Sequence, residues 1–528
     1  TDLLPYATTQ GWTQFDVPGE FDNPANDRYR VDWLGDTPYM WLGKLLGGCS
    51  SINAALYFRT PDDYVDKAAW PFNASQVATG FDEIEQCFNY TEAPSADGKL
   101  HVQEAYTIVR NALESIGYVV VNGSLNEKEV RNAKNATLDH PSYAIHDGLR
   151  DSPAKTFFSK LKNRKNFKLL TEAKVEYIQQ SQGEATGVVF TQDNSTKVQN
   201  LTQRGVVVLA AGALNTPAIL IQSGVGPMKQ LQSLSTLGKF NGLKNSSAWV
   251  EIGNVACLRH HYASFQHPNM KPFLNKRKPA DAIAHYVADR SGPWATPGPV
   301  MIAYESIKYM DREFELQTTV LPHGFGDFYE TENAFSVGIF LNNPKSRDSV
   351  SYSVGGKLTP ATNNTWCASN KDDVVVLDQY VMKVVTAIVN GGAKFLNEDS
   401  VSPAVLSSWV NESLGDAPFG GSCYAAAQSD GSRCVDENFK VLGTKNIYVS
   451  DTSVMKEGTV NLYGFVMYIG NQAAKNISTA AFHKDQRKSN SESDDGFSTT
   501  SPTRNRSCHE HSVSAFVLVL VISLYGNQ

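Results

Sequence analysis

The hydrophobic pattern of this chain changes period from stretch to stretch, and three short apolar runs stand out first. They are Phe167-Lys168-Leu169-Leu170, Gly205-Val206-Val207-Val208-Leu209-Ala210-Ala211 and Asn446-Ile447-Tyr448-Val449-Ser450. Short continuous runs of this kind fit strands buried on both faces, because a helix-covered parallel sheet has no solvated side to impose alternation. The second run continues as Gly212-Ala213-Leu214-Asn215-Thr216-Pro217-Ala218-Ile219-Leu220-Ile221-Gln222. Small residues form a turn there, Thr216 is an N-cap candidate, and Pro217 suits the first helical position. The pattern predicts strand, tight turn, helix.

Between Val175 and Val198 the chain alternates with polar breaks, which predicts a small antiparallel meander. From about 236 to 420, alternating runs such as Phe314 to Val320 mix with helical patterns such as Asp372 to Phe395, an α+β unit. The last structured helix is expected over roughly Phe465 to Ala481. Lys484 to Arg506 is polar and Ser/Thr-rich, and a disordered tether is expected there. An apolar run, Val513 to Tyr525, closes the chain. It is short for a bilayer span. A polar spacer before a short apolar tail resembles a GPI-attachment signal; a tail anchor and a buried terminal strand are the alternatives. The signal is favoured, because a core strand does not ordinarily follow a long tether.

Composition sets the frame around these elements. With 528 residues, 41% hydrophobic and 19% charged, the chain can bury a large core in two or three units or in one interwoven body. Net charge is −7, and no basic stripe carries interleaved aromatics, which argues against a nucleic-acid partner. Asn-x-Ser/Thr triplets begin at Asn73, Asn89, Asn122, Asn135, Asn194, Asn200, Asn245, Asn363, Asn411, Asn476 and Asn505. That is roughly twice the chance number, so an extracellular or cell-surface location is expected, membrane contact coming only through the C-terminal anchor. Seven cysteines suit one to three bridges, Cys423 with Cys434 first because their loop is short. None has metal-ligand spacing. His260-His261 are neighbours that point apart on a helix or strand, so they read as core or surface residues. The opening Thr1-Asp2-Leu3-Leu4-Pro5 has neither the basic nor the apolar region of a signal peptide, nor an initiating Met.

Two segments carry chemistry. Gly43-Lys44-Leu45-Leu46-Gly47-Gly48-Cys49-Ser50-Ser51-Ile52-Asn53 places glycines where backbone must approach something closely. The string resembles the first signature of the glucose–methanol–choline (GMC) oxidoreductases, with Cys49 and Thr60 as departures. Gly212 to Gly226 resembles the second signature without departure. Cys434 to Ala474 resembles the family's closing stretch, and within the family the likeness is nearest to the flavodehydrogenase part of cellobiose dehydrogenase. The likeness covers residues 10 to 480.

The resemblance implies an α/β, Rossmann-like FAD-binding domain, incomplete at its N-terminus, interwoven with an α+β substrate domain on an antiparallel sheet. The bounds expected are 1–235 and 421–482 for the first, 236–420 for the second, and 483–528 for tether and tail. It implies FAD as cofactor, with Gly47, Gly48, Ser50, Asn53, Val175, Gly212 and Asp451 lining it. Bland roles stay open: Asp451 fits an N-cap equally. In the family a hydride leaves a CH–OH carbon for the flavin while a base, suitably a neutral imidazole, takes the hydroxyl proton. Asn461 aligns with one of the two catalytic positions and Pro418 with the other, the histidine. No histidine lies between His323 and His483, and His323 itself reads as a loop residue. The family's opening Gly-x-Gly-x-x-Gly, which holds a pyrophosphate on helix N–H groups, is absent. Two functions follow: an FAD-dependent oxidoreductase acting on CH–OH groups of sugars or other alcohols, or a non-catalytic GMC-like surface glycoprotein. A small-molecule site is expected in the first.

Overall fold

The structure is a computed structural model that describes residues 3–21, 23–29, 42–236, 254–257, 260–271, 278–352, 358–360, 369–412, 419–428, 432–459, 461–489 and 518–521. Along the chain come helices α1 (Ala74–Glu85) and α2 (Glu104–Glu114), then strands β1 (Val119–Val120) and β2 (Thr137–Asp139). The meander follows as β3 (Lys174–Ser181), β4 (Glu184–Gln192) and β5 (Ser195–Asn200), then β6 (Val206–Leu209) and α3 (Gly212–Gln222). The middle of the chain supplies β7 (Asn254–Cys257), β8 (His260–Gln266), β9 (Met301–Tyr309), β10 (Arg312–Leu321), β11 (Ala334–Leu341), β12 (Arg347–Tyr352) and β13 (Leu358–Pro360). Helix α4 (Lys371–Asn390), β14 (Lys394–Phe395), α5 (Pro403–Glu412), β15 (Phe419–Gly420), β16 (Ile447–Val449), α6 (Tyr463–Ser489) and β17 (Leu518–Val521) complete it.

Two sheets organise the molecule. A parallel sheet, ordered β16-β6-β17, joins two of the apolar runs: Ile447 pairs with Val207, Tyr448 with Val208 and Val449 with Leu209. A seven-stranded sheet, β1-β2-β9-β10-β11-β8-β14, is antiparallel except where β1 meets β2. Strand β9 ties the two together. Met301 and Ala303 enter one core with Val337, Leu377, Tyr380 and Val384, while Ile302 and Tyr304 enter the other with Val207, Leu209, Ile219 and Phe465. Alternate side chains of a strand point to opposite faces, so this sheet is a wall shared by both cores. Helix α6 closes the first core against α1. A Cβ on Gly80 would meet the Tyr468 ring at 2.5 Å, so only glycine lets the ring lie on the helix backbone.

Several expectations change. The stretch 1–235 does not stay with the first core: α2, β1 and β2 belong to the second, through Val109, Leu113, Tyr118 and Leu138. Phe167–Leu170 is not a strand. Phe167 packs on Phe158 at 5.7 Å and Leu169 is 39% exposed, so the run folds on its own preceding turn. Helix α3 starts at Gly212, with Ala211 as N-cap, and Thr216 and Pro217 lie inside it. Helix α6 extends to Ser489, into the expected tether; residues 490–517 lie outside the described ones. Leu518–Val521, within the run where an attachment signal was favoured, forms a strand that pairs in parallel with Val206–Leu209. The free edge of β6 offers backbone groups that an apolar run can satisfy. Among the described residues, no helix is long and apolar enough to cross a membrane. The expected bridge is present: Cys423 and Cys434 are disulfide-bonded, their Cα atoms 4.7 Å apart.

One buried charge lies against the shared wall. Lys134 Nζ sits over the Tyr304 ring, 3.9 Å from its centre, and has no hydrogen-bond partner. Burial holds its pKa down to about 7; Glu315 pulls the other way and Arg131 adds to the depression. The unfolded chain keeps that proton up to about pH 10.4, so stability rises with pH between the two values. The penalty is full below pH ~7 and fades toward pH ~10. Lys134→Met should raise the unfolding free energy by about 2–4 kcal/mol near pH 6, with a smaller gain near pH 10; urea denaturation at both values measures it.

Candidate active site

The first glycine segment folds tightly upon itself. Gly47 and Gly48 have φ of +89° and +56°, which favours glycine, and start a 3-10 turn over Gly48–Ser51. A Cβ on Gly43 would lie 2.6 Å from the Gly48 carbonyl carbon, and one on Gly47 would collide with Ser51 Oγ. Ser50 Oγ donates to the Gly47 carbonyl at 2.7 Å, and Ser51 Oγ to that of Leu46 at 2.9 Å. Cys49 Sγ accepts from the Gly43 N–H at 3.3 Å. Most of these small residues therefore serve the turn's own packing. Gly48 differs, because a Cβ there would meet nothing within 4 Å.

Arg150 fixes this turn from behind. Its Nη1 donates to Asn53 Oδ1 at 2.9 Å and its Nη2 to the Asn53 carbonyl at 2.6 Å. Burial lowers its pKa to about 10, which leaves the guanidinium charged at neutral pH. The Tyr463 hydroxyl lies beside Ser50 and feels Arg150; burial still pushes that phenol well above its ordinary value. Asn461, two residues earlier, has φ +34°. Asparagine tolerates that left-handed region better than most residues, and strained backbone of this kind clusters at functional sites.

The second segment is held by Asp451. Its Oδ2 accepts from the Gly212 N–H at 2.9 Å and from Thr216 Oγ1 at 2.5 Å, and its Oδ1 accepts from the Ser453 N–H at 2.7 Å. Burial raises the carboxyl's pKa while these donors oppose the rise. Asp451 is thus the N-cap of the Thr452–Val454 turn and also a latch onto α3. Gly212, φ +82°, shares the open surroundings of Gly48: a Cβ there meets nothing within 4 Å. The Gly421 N–H donates to the Thr452 carbonyl at 3.1 Å and the Cys423 N–H to that of Ser453 at 2.9 Å, which pins the bridge-bearing loop here. Pro418 lies outside the described residues; Phe419 next to it pairs with Cys257.

The structure brings Asn53 and the Ser50 carbonyl to Arg150, Ser50 to Tyr463, and Gly212 to Asp451, while Asn461 lies two residues before Tyr463 in the chain. Val175 stands apart as a half-buried β3 residue, paired with Phe190 at a bulge and packed into the first core. The sequence reading missed Arg150 and Tyr463. Arg150 left one signal: an arginine between Leu149 and Asp151, in a segment that carries a glycine turn at Gly148. His260 and His261 face opposite sides of β8, one stacked on Phe340 at 5.0 Å and the other against Trp409 at 5.6 Å. His323 is buried, with Nδ1 2.9 Å from the Gly324 carbonyl. Among the described residues no cluster of side chains could hold a metal ion.

Residues 31–255 match the family model described as GMC oxidoreductase. The chain is 25% identical over 496 residues to an oxygen-dependent choline dehydrogenase of Staphylococcus saprophyticus, covering 87% of this chain and 86% of the relative. It is 30% identical over 217 residues to an alcohol dehydrogenase [acceptor] of Pseudomonas putida, 38% of this chain and 37% of that one. Among solved structures it is similar to a formate oxidase of Aspergillus oryzae, with TM-score 0.71, 17% identity and coverage of 89% and 92%. An FAD-dependent oxidoreductase of Chaetomium thermophilum superposes with TM-score 0.72 at 15% identity, covering 90% and 93%. These two structures carry the fold: an FAD-binding α/β body joined to a domain on an antiparallel sheet.

The Asp451 latch gives a measurable expectation. Asp451→Asn removes one acceptor from a buried site with three donors and should cost about 2–3 kcal/mol of stability, read as a lower urea midpoint. Flavin retention on gel filtration should fall with it.

Proposed function

We propose that this chain, whose family-model match and curated relatives support it as a GMC oxidoreductase, is an FAD-dependent enzyme acting on the CH–OH group of a small alcohol. The observation that carries the reading is the pair of left-handed glycines, Gly48 and Gly212, which lie in the two segments resembling the family signatures and face open space beside turns held by Ser50, Ser51 and Asp451. A planar ring needs backbone without Cβ at its surface, and both turns offer it. The residues present fit FAD: Gly48 and Gly212 would lie against it, with Ser50, Asn53 and Asp451 holding those turns in place. FAD, when bound, supplies the hydride acceptor that no protein side chain can replace.

The chain's own part is to bind and orient the alcohol and to move its proton. Asn461 offers an amide to hydrogen-bond a substrate hydroxyl. The nearby titratable groups are poor bases for that proton near neutral pH: Tyr463 is held neutral, Arg150 charged, and Asp451 has its oxygens occupied. Together with proline at position 418 this supports a second reading, a GMC-type surface protein that keeps the flavin site without turnover.

One experiment separates them. The full chain, loaded with FAD, should show the visible flavin band and bleach anaerobically on adding choline, an aryl alcohol or a sugar such as cellobiose. A flavin-loaded protein that none of these reduces favours the second reading, and a chain that takes up no flavin defeats both. Pro418→His should then speed flavin reduction by about 10²–10⁴-fold, the range of a positioned base. No change in a flavin-loaded protein would show that 418 is not the base position.

A further inference from the structure

Among the described residues, two sheet edges have no neighbouring strand and each exposes a valine. Strand β1 begins the seven-stranded sheet, and its Val119 is 63% exposed. Strand β5 ends the meander, and its Val198 is 48% exposed. An open edge presents unpaired N–H and C=O groups on which a second chain can add a strand, and exposed apolar residues strengthen that contact. Lys394 on β14 and Pro360 at the end of β13 blunt two other edges, and on β5 Lys197 beside Val198 is a partial block.

Each of these two edges has two Asn-x-Ser/Thr triplets beside it. Asn122 follows β1 and Asn135 precedes β2; Asn194 precedes β5 and Asn200 ends it. All four asparagines are exposed. None of their Nδ2 atoms donates a hydrogen bond to a described residue, whereas Nδ2 of Asn89 donates to Asp151 and that of Asn411 to the Ser407 carbonyl. Asn476 is different again, on α6 with its Nδ2 buried. Disulfides at Cys423–Cys434 and at Cys87 fit an oxidising compartment, where such modification occurs.

We propose that N-linked glycans on Asn122, Asn135, Asn194 and Asn200 shield these two edges, and that Asn476 stays bare. In each case Nδ2 bonds to the anomeric carbon of an oligosaccharide carried on a lipid pyrophosphate. The sugar–pyrophosphate bond breaks, the lipid pyrophosphate leaves with that bond's electron pair, and one amide proton is lost. The bulky, hydrated product stands over the edge and excludes a second strand.

The test uses the full chain secreted from a eukaryotic cell. Release of glycans by an amidase turns each occupied asparagine into aspartate, and peptide mass mapping reads which changed. Conversion at all four edge positions and none at Asn476 is expected; an unmodified pair at either edge, or conversion at Asn476, overturns the assignment. The shielding role is read on the folded glycoprotein after an endoglycosidase trims each glycan to its first sugar. Trimming should shift the light-scattering mass from monomer to larger species, and Val119→Lys with Val198→Lys should restore the monomer. A trimmed protein that stays monomeric, or one that the lysines do not rescue, defeats the shielding role. Flavin content plays no part in these readouts, so the result is independent of the proposed oxidoreductase activity.

Discussion

A single buried carboxylate connects the strand that carries one glycine turn to the strand that carries the other half of the site. Asp451 follows β16, and its oxygens reach the Gly212 N–H and the Thr216 hydroxyl at the start of α3. Parallel strands have no hairpin to fix their ends in register, so the C-terminal ends of β6 and β16 need a cross-link of this kind. The carboxylate is affordable in the core because both its oxygens are used. From it the order spreads outward: the Thr452 and Ser453 carbonyls receive Gly421 and Cys423, and the disulfide then fixes the return loop.

The two domains are joined as firmly as either is built. Strand β9 is buried on both faces, giving Ile302 and Tyr304 to one core and Met301 and Ala303 to the other. A hinge between the domains would have to break one of those cores. The enclosure of Lys134 over Tyr304 belongs to the same economy: closing the wall from both sides leaves an ammonium with ring faces and no acceptor.

Local rules made the parallel pair, the meander and the short-loop disulfide legible in the sequence. Val206–Leu209 and Ile447–Val449 are apolar throughout because both faces are covered, and a disulfide between cysteines eleven apart needs only local closure. Long-range contacts made the rest illegible. Thr216 resembles an N-cap, yet its hydroxyl serves Asp451 and the helix begins at Gly212. Phe167–Leu170 has a strand's composition but packs on Phe158, and Leu518–Val521 has a tail's composition but completes a sheet. Arg150 and Tyr463 escaped for a similar reason. Nothing local says that an arginine will be buried behind Asn53, since the acceptors that justify it lie a hundred residues away.

The glycines show how far a signature can be trusted. A run of small residues signals close approach without saying what approaches. At Gly43 and Gly47 the visitor is the chain itself, the Gly48 carbonyl and the Ser51 side chain. Gly48 and Gly212 turn a bare α-carbon outward at positive φ, where a side chain would be strained even in empty space; Gly11, Gly98, Gly117 and Gly326 do the same, so openness alone does not mark a ligand surface. What singles out Gly48 and Gly212 is their setting, Gly48 in a turn tied by Ser50 and Ser51 and Gly212 in one tied by Asp451.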